Sequence, residues 1–300
     1  MKITAIILTF NEEIHLARCI ESLLPLTEDI VVVDYLSVDR KVEIAHQYGA
    51  RVLERAWENN HSIQFNWALT KLDPEQTEWI LRIDADEVLT PALVSELLRE
   101  LPRLDRSTAG IHFFRKIRFQ GKLIEHGGIA RNKVSRLFRY GRGKSEARWM
   151  DEHIKIDGNC LDLSGCIVDD NLNSVSWWID KHNNYASREA VDLLNLKYQF
   201  SALDSVSGAT TKSSISKKRW IKEHLYARLP LGMRSLSYFL YRYIFLAGFL
   251  DGSTGAQFHF LQAFWYRYLV DIKLAEVERY MRTNSVSPKV AINHILGIKL

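Results

Sequence analysis

The sequence predicts an α/β protein built on a largely parallel sheet. Over the first hundred residues, short apolar runs alternate with segments whose apolar residues have helical spacing. The apolar runs are continuous rather than alternating, which is typical of strands covered on both faces. Because the links between them are short, these strand–helix units are expected to form a parallel sheet, with ligands beyond the carboxyl ends of its strands.

The predicted elements of this part begin with a strand over Ile3–Thr9, which is rich in isoleucine. A helix over 13–24 follows and ends before Pro25, because proline cannot continue a helix. Thr90 and Pro91 supply an N-cap and a first helical residue for a helix that reaches Leu101. Between them we expect strands over 30–33, 51–53 and 79–83, and helices over 40–48 and 62–72.

The pattern changes after Gly110. Apolar and polar residues alternate over 111–119 and a turn sequence follows at 120–122, which predicts antiparallel strands. Helical spacing dominates from Ser174 onward, except in the Ser-, Thr- and Gly-rich segment 201–216, which we expect to be a mobile loop. The sequence therefore predicts an α/β domain over 1–170, with halves 1–105 and 106–170, and a mostly helical region over 171–300.

Composition excludes several classes of protein. Of the 300 residues, 47% are apolar and 25% are charged, proportions that exclude disordered and fibrous proteins. The three cysteines form no CxxC pair, which argues against a disulfide framework or a cysteine zinc site. The longest apolar stretch, 235–250, contains Arg242 and is shorter than the roughly 20 residues of a bilayer span. We expect a soluble or membrane-surface protein.

Three predicted strands end in polar or acidic residues. The first is followed by Asn11 and Glu12, the second ends at Asp34, and the fourth ends in the acidic segment 84–87. The carboxyl ends of parallel strands meet at one sheet edge, so these groups should converge. Carboxylates one residue apart, as at Asp84 and Asp86, suit a hard divalent cation that also holds phosphate oxygens.

Several sequence motifs are spread along the chain. TFNEE stands at 9–13, VVDYLSVDRK at 32–41, QFNWAL at 64–69, IDADE at 83–87 and WMDEH at 149–153, and aromatic residues recur in 242–252 and 264–268. Together they resemble the motifs TFNEE, VVDSxSxDRT, QxNWAL and LDADE, a later acidic pair and the C-terminal aromatic residues of family-2 glycosyltransferases with the GT-A fold, in the branch that builds bacterial lipopolysaccharide cores and exopolysaccharides. The second motif departs at Tyr35 and Lys41.

This resemblance implies a mixed sheet with helices on both faces, in which 1–105 binds the nucleotide and 106–170 the acceptor. It implies an inverting, metal-dependent transferase with a UDP-sugar donor, because Asp34 would accept a hydrogen bond from a pyrimidine ring. The acceptor would be a saccharide or a polyprenyl- or other lipid-linked molecule. Asp86 would bind Mn²⁺ or Mg²⁺, and Glu152, or second Asp151, would be the base. The other implied nucleotide-sugar contacts are Thr9, Asn11, Glu12, Ser37, Gln64, Asn66 and Asp84.

Other interpretations of the same residues stay open at this point. Asp84 and Asp86 also fit the DxDx[TV] motif of haloacid-dehalogenase-like phosphatases, in which the first aspartate is the nucleophile. The basic segment 131–148 is either a solvated face or a cradle for phosphates, and a nucleic-acid-binding protein would use such segments. Asp34 is either a base contact or the cap of the next helix, and 151–152 is either a catalytic pair or a surface turn.

The last prediction from the sequence concerns whether the C-terminal region contacts a membrane. Basic residues crowd into 212–242 beside leucine and aromatic side chains. Such a mixture is typical of helices at an anionic membrane interface, and it also fits core packing. The first alternative places the protein at the inner face of the cytoplasmic membrane.

Overall fold

The computed structural model describes residues 2–37, 39–56, 61–146, 153–200 and 232–300. The chain divides into two compact units, Met1–Leu172 and Asn173–Leu300. The segment 201–216, predicted to be a loop, lies outside the described residues, as do Asp151 and Glu152.

The first unit is built on a mixed sheet whose strands run in the order β3–β2–β1–β4–β8–β6–β11–β5, with β7 paired to β6 and a separate β9–β10 pair. The strands are β1 Ile3–Thr9, β2 Ile30–Asp34, β3 Arg51–Glu54, β4 Trp79–Asp84, β5 Glu87–Leu89, β6 Thr108–Phe119, β7 Lys122–Ile124, β8 Lys133–Arg139, β9 Gly143–Ser145, β10 Ile154–Ile156 and β11 Asn159–Asp170. The helices are α1 Glu13–Leu23, α2 Lys41–Gln47, α3 His61–Leu69 and α4 Pro91–Glu100.

The four N-terminal strands β1 to β4 are parallel, and β1 shows why. Ile3, Ala5 and Ile7 pack in one buried cluster with residues of α1 and α4. Ile6 and Leu8 pack on the opposite face in a second cluster with α3. Apolar residues on both sides of β1 therefore bury both faces of the sheet under helices, and the α/β class predicted from the sequence is confirmed.

The strands after Gly110 are mixed in direction. β6 and β7 form an antiparallel hairpin through Gln120 and Gly121, whose φ values of 47° and 77° are those of a two-residue turn. β8 is antiparallel to both β4 and β6, as the sequence predicts. However, β11 runs parallel to β6, and the three-residue strand β5 pairs with it. β5 is too short to have a hydrophobic period, which is why the sequence did not show it.

The second unit is helical in the part that the structure describes, as predicted. Its α-helices are α5 Val175–Tyr198, α6 Met233–Leu240, α7 Gly252–His259, α8 Tyr266–Asn284 and α9 Pro288–Leu296, and π-helical segments span Tyr241–Phe245 and Phe260–Trp265. Ala186 and Ala190 of α5 pack against Tyr266 and Val270 of α8. Among the described helices, none combines the length and hydropathy needed to cross a membrane.

Candidate functional site

The register of the sheet brings the predicted strand ends together. Thr9 at the end of β1 lies opposite Asp34 at the end of β2, and Leu8 lies opposite Asp84 at the end of β4. Neighbouring strands are roughly 4.8 Å apart, so Thr9, Asp34 and Asp84 share one edge of the sheet. The Thr9 side chain itself is buried, and its hydroxyl donates to the carbonyl of Val33 at 3.3 Å.

The loops after β1 and β2 are joined by hydrogen bonds. Asn11, which has a φ of 52°, donates its backbone N–H to the hydroxyl of Ser37 at 3.2 Å. The backbone N–H of Ser37 donates to a carboxylate oxygen of Asp34 at 3.0 Å. The Glu12 carboxylate pairs with the ring of His15 at 2.5 Å. The TFNEE segment and the Asp34–Ser37 turn therefore form one connected rim, with Asn11 exposed on it.

Asp34 forms a buried ion pair with Lys41. The Lys41 ammonium lies 2.7 Å from Asp34 Oδ1, and both side chains are at most 2% exposed. Burial favours the neutral carboxyl, but the hydrogen bonds from Lys41 and Ser37 outweigh it, so the pKa of Asp34 is lowered. Burial likewise lowers the pKa of Lys41. Asp34 does not cap α2, because that helix begins after Arg40 with no side-chain cap.

We expect Lys41→Met to destabilise the first unit by about 3–5 kcal/mol, because it leaves the Asp34 carboxylate buried without its cation. Urea unfolding of the full chain measures this effect. The double variant Asp34→Asn, Lys41→Met removes both charges and should recover most of the loss. Equal stability of the wild type and Lys41→Met would show that the pair contributes nothing.

A second buried charge network surrounds the acidic segment after β4. Arg136 of β8 donates to Asp84 at 2.8 Å and lies 3.1 Å from Glu87. Arg115 of β6 lies 2.8 Å from Glu87 and 2.5 Å from Asp169. The Glu87 side chain is fully buried, and its second oxygen accepts the backbone N–H of Asp84 at 3.0 Å. Two arginines from 106–170 therefore neutralise two carboxylates from 1–105.

This network separates the pKa values of its carboxylates. Loss of water around the carboxyl group favours its neutral form and would raise the pKa of Asp84. The positive charges of Arg136 and Arg82 outweigh this effect and hold the pKa below its ordinary value. The pKa of Glu87 is raised, first by its complete burial and then by the charge of Asp84. Asp84 is therefore held ionised, with its side chain 33% exposed at the sheet edge.

Asp86 lies in the turn between β4 and β5 and is partly exposed. Its carboxylate accepts a hydrogen bond from the side-chain amide of Asn171 at 3.0 Å, and its carbonyl accepts the backbone N–H of Asp170 at 2.9 Å. Within the described residues, no group of three or more His, Cys, Asp or Glu side chains could hold a metal alone. One carboxylate with phosphate oxygens from a bound substrate fits Mg²⁺ or Mn²⁺.

Gln64 and Asn66 of α3 bind the main chain. The Gln64 amide donates to the carbonyl of Ala56 at 2.8 Å. The Asn66 amide makes two hydrogen bonds of 2.9 Å with the backbone of Ser145 in β9. Both side chains thus fasten α3 to neighbouring segments, whereas the residues that the strand ends bring together are Thr9, Asn11, Glu12, Asp34, Ser37, Asp84 and Asp86.

In the described part of the basic segment, 131–146, four of the six basic residues pair with carboxylates of the same unit, and Arg148 lies outside the described residues. Besides Arg136, Arg139 contacts Glu78 at 2.7 Å and stacks over the ring of Trp79, and Lys133 contacts Asp162 at 2.6 Å. Arg136 and Arg139 are thereby drawn inward, whereas Arg131, Lys133, Arg142 and Lys144 are exposed, as on a solvated face. The ion pairs of Arg115 and Arg136 with the acidic segment were not predicted from the sequence. The signal that could have indicated them is that β6 and β8 carry arginines among apolar residues, because a buried arginine needs a carboxylate partner.

Comparison with known proteins identifies the same family that the sequence motifs resemble. The model of glycosyl transferase family 2 matches residues 4–161, which is more than half of the chain. An uncharacterised glycosyltransferase of Rickettsia typhi is 27% identical over 67% of this chain and 70% of its own length. A lipopolysaccharide core biosynthesis glycosyltransferase of Rhizobium meliloti is 30% identical over 53% of this chain and 59% of its own length.

Other relatives match over a shorter length. An uncharacterised glycosyltransferase of Rickettsia felis is 37% identical over 32% of both chains. Among solved structures, glucosyl-3-phosphoglycerate synthase from Mycobacterium tuberculosis, in complex with Mn²⁺, UDP and phosphoglyceric acid, is 21% identical. That match covers 38% of this chain and 43% of the synthase, with a TM-score of 0.32. On the evidence of the family match, the chain is a glycosyltransferase and belongs to glycosyl transferase family 2.

Proposed function

We propose that this enzyme is an inverting, metal-dependent glycosyltransferase that moves a sugar from a UDP-sugar to a saccharide or lipid-linked acceptor in the synthesis of bacterial lipopolysaccharide or another surface polysaccharide. The observation that carries the proposal is the convergence of three strand ends at one edge, where Asp86 lies beside the ionised Asp84. The Rhizobium meliloti relative, named for lipopolysaccharide core biosynthesis, supports the acceptor class.

In this proposal the rim formed by the TFNEE segment and the Asp34–Ser37 turn binds the nucleotide. We assign uridine because Asp34 stands at the base-binding position of the family motif. In the structure Asp34 is 1% exposed and orders the turn through Ser37 and Lys41. Next to this turn the half-exposed ring of Phe10 stacks on Tyr35, with centroids 6.5 Å apart, and offers an aromatic surface for a base.

Asp86 would hold the Mn²⁺ or Mg²⁺ ion, which supplies positive charge to the diphosphate leaving group. Asp84 would accept hydrogen bonds from a hydroxyl of the donor, and the arginine contacts keep it ionised for that role. Arg136 and Arg115 fix the carboxylates in place, so that no rearrangement of this edge is needed when charge develops on the leaving group.

The acceptor hydroxyl must lose a proton, and we assign this step to Glu152, with Asp151 as the alternative. Both are adjacent carboxylates in the WMDEH motif, and a single in-line displacement with such a base inverts the anomeric configuration. Glu152→Gln should lower transfer by about 10²–10⁴-fold. Binding of UDP with Mn²⁺ should change little, because the base acts on the acceptor.

Steady-state kinetics and titration calorimetry together test this assignment, with Asp151→Asn as the matched variant. Loss of transfer in Asp151→Asn and its retention in Glu152→Gln would move the role to Asp151. Retention in both variants would contradict the assignment of the base to this pair.

A thermal-shift panel of nucleotide sugars, each with and without Mn²⁺, tests the donor. A ligand that binds only the folded enzyme raises its melting temperature. We expect UDP-sugars to stabilise the protein in the presence of Mn²⁺, with one sugar giving the largest shift. Stabilisation by GDP- or ADP-sugars alone would contradict the uridine assignment, and equal shifts with and without Mn²⁺ would contradict the metal.

A further inference from the structure

The segment Met233–Phe245 has its apolar residues on the outside. Six large apolar side chains, spaced as on one face of a helix, are between 38% and 78% exposed. They lie on α6 and on the π-helical segment that continues it. We call this surface the apolar face: Met233, Leu236, Leu240, Tyr241, Ile244 and Phe245.

The charged residues of the same segment are on the inside. Arg234 and Arg242 are its only charged side chains, and each is 4% exposed. Arg234 Nε donates to Asp271 of α8 at 2.6 Å, and Arg242 donates to Gln262 at 3.0 Å. A helix in water normally turns its charges outward and its apolar residues inward. The opposite arrangement in this segment indicates that its exposed side contacts an apolar surface or medium.

The apolar face continues along the chain. Phe249 and Leu250 in the following 3₁₀ turn are 50% and 59% exposed, and the Phe249 ring contacts Tyr243 with centroids 6.3 Å apart. The thirteen residues of Met233–Phe245 extend over roughly 20 Å at 1.5 Å per residue. That length is too short to cross a bilayer, but it suits a helix lying in the plane of a membrane surface.

We propose that the apolar face docks on an anionic lipid bilayer and inserts shallowly among its acyl chains. Met233–Phe245 exposes no charged side chain, as expected of a surface that enters an apolar medium. Residues 212–228, which precede the face in sequence, hold six basic side chains and one acidic one. Positive charge that is close in sequence to an apolar surface favours anionic lipid. Docking is independent of the sugar-transfer reaction.

Co-sedimentation of the full chain with phosphatidylcholine vesicles, with and without phosphatidylglycerol, tests this inference. We expect the wild type to bind vesicles that contain phosphatidylglycerol and to bind phosphatidylcholine alone much more weakly. High salt should release only part of the bound protein, because salt screens charge and leaves apolar burial intact. Ile244→Ser with Phe245→Ser should lower partition about tenfold or more.

The matched control is Leu196→Ser with Val290→Ser, which removes two exposed apolar side chains from other helices of the same unit. It should bind vesicles like the wild type. Since all four positions are exposed, melting temperatures should stay near that of the wild type, and donor hydrolysis monitors the other unit independently.

Three results would overturn the inference. Equal binding of the wild type and the Ile244, Phe245 variant, or no binding by either, would mean that lipid does not cover the face. A wild-type dimer in sedimentation velocity that the same variant dissociates, without vesicle binding, would identify a second copy of the chain as the occupant instead.

Discussion

Asp86→Asn is expected to lower sugar transfer and donor hydrolysis by about 10²–10³-fold. The substitution keeps the size of the side chain and removes the negative charge that would hold the metal against the diphosphate. Asp86 lies in a partly exposed turn and bonds to the neutral amide of Asn171, so the fold should survive. Turnover measured across a Mn²⁺ titration, with the melting temperature measured in parallel, separates loss of metal from loss of structure.

The matched control is Asp157→Asn, which alters a carboxylate that is 91% exposed and 3.5 Å from Arg142. It should keep wild-type turnover, because an exposed ion pair of this kind contributes little. Full activity of Asp86→Asn at saturating Mn²⁺ would contradict the proposed metal ligand.

Arg136→Met should have a second large effect, on both stability and activity. It removes the guanidinium that lies within 3.1 Å of Asp84 and Glu87 and leaves two neighbouring carboxylates without this shared cation. Breaking a buried pair in this way destabilises a protein by about 3–5 kcal/mol. Donor turnover should also fall, because Asp84 would lose its fixed position.

The direction in which stability and activity change with pH follows from the pKa shift of Asp84. The folded-state pKa of Asp84 lies below the unfolded value, so its contribution to stability is present above the unfolded pKa and is lost as pH falls through the folded pKa. In Arg136→Met that pKa rises, and the acid limb of activity should move to higher pH. Arg136→Lys should recover part of the effect, since an ammonium supplies charge without the arginine fork.

Arg142→Met is the matched control, because Arg142 is 49% exposed and pairs with an exposed carboxylate. Urea unfolding and pH–rate profiles of the three variants make the comparison. A pH profile and stability of Arg136→Met equal to those of Arg142→Met would show that Arg136 does not position the acidic segment.

Much of the first unit could be predicted from sequence, because its strands carry local signals. β1 and β2 are almost continuous apolar runs, and Thr90 accepts the backbone N–H of Leu93 at 3.3 Å as the predicted cap of α4. The acidic strand ends could also be located, since parallel strands place their carboxyl ends at one edge. These predictions depended on residues close in sequence.

The contacts that organise the site depend on residues far apart in sequence. Arg136 reaches Asp84 because β8 inserts beside β4, and no local period reveals which strand will be the neighbour. Lys41 was visible only as a departure from the family motif, and its burial against Asp34 follows from packing. Arg242 shows the same limit in the second unit, because its charge argues for an outward face and the structure turns it inward.

The most direct test of the central claim is to quantify the products formed from UDP-, GDP- and ADP-sugars in the presence of Mn²⁺. Chromatography resolves nucleoside diphosphate from inorganic phosphate in each reaction. The proposed function predicts release of UDP from at least one UDP-sugar, abolished by EDTA and nearly abolished in Asp86→Asn. Release of inorganic phosphate instead, as a phosphatase would produce, or no nucleoside diphosphate from any donor would contradict it.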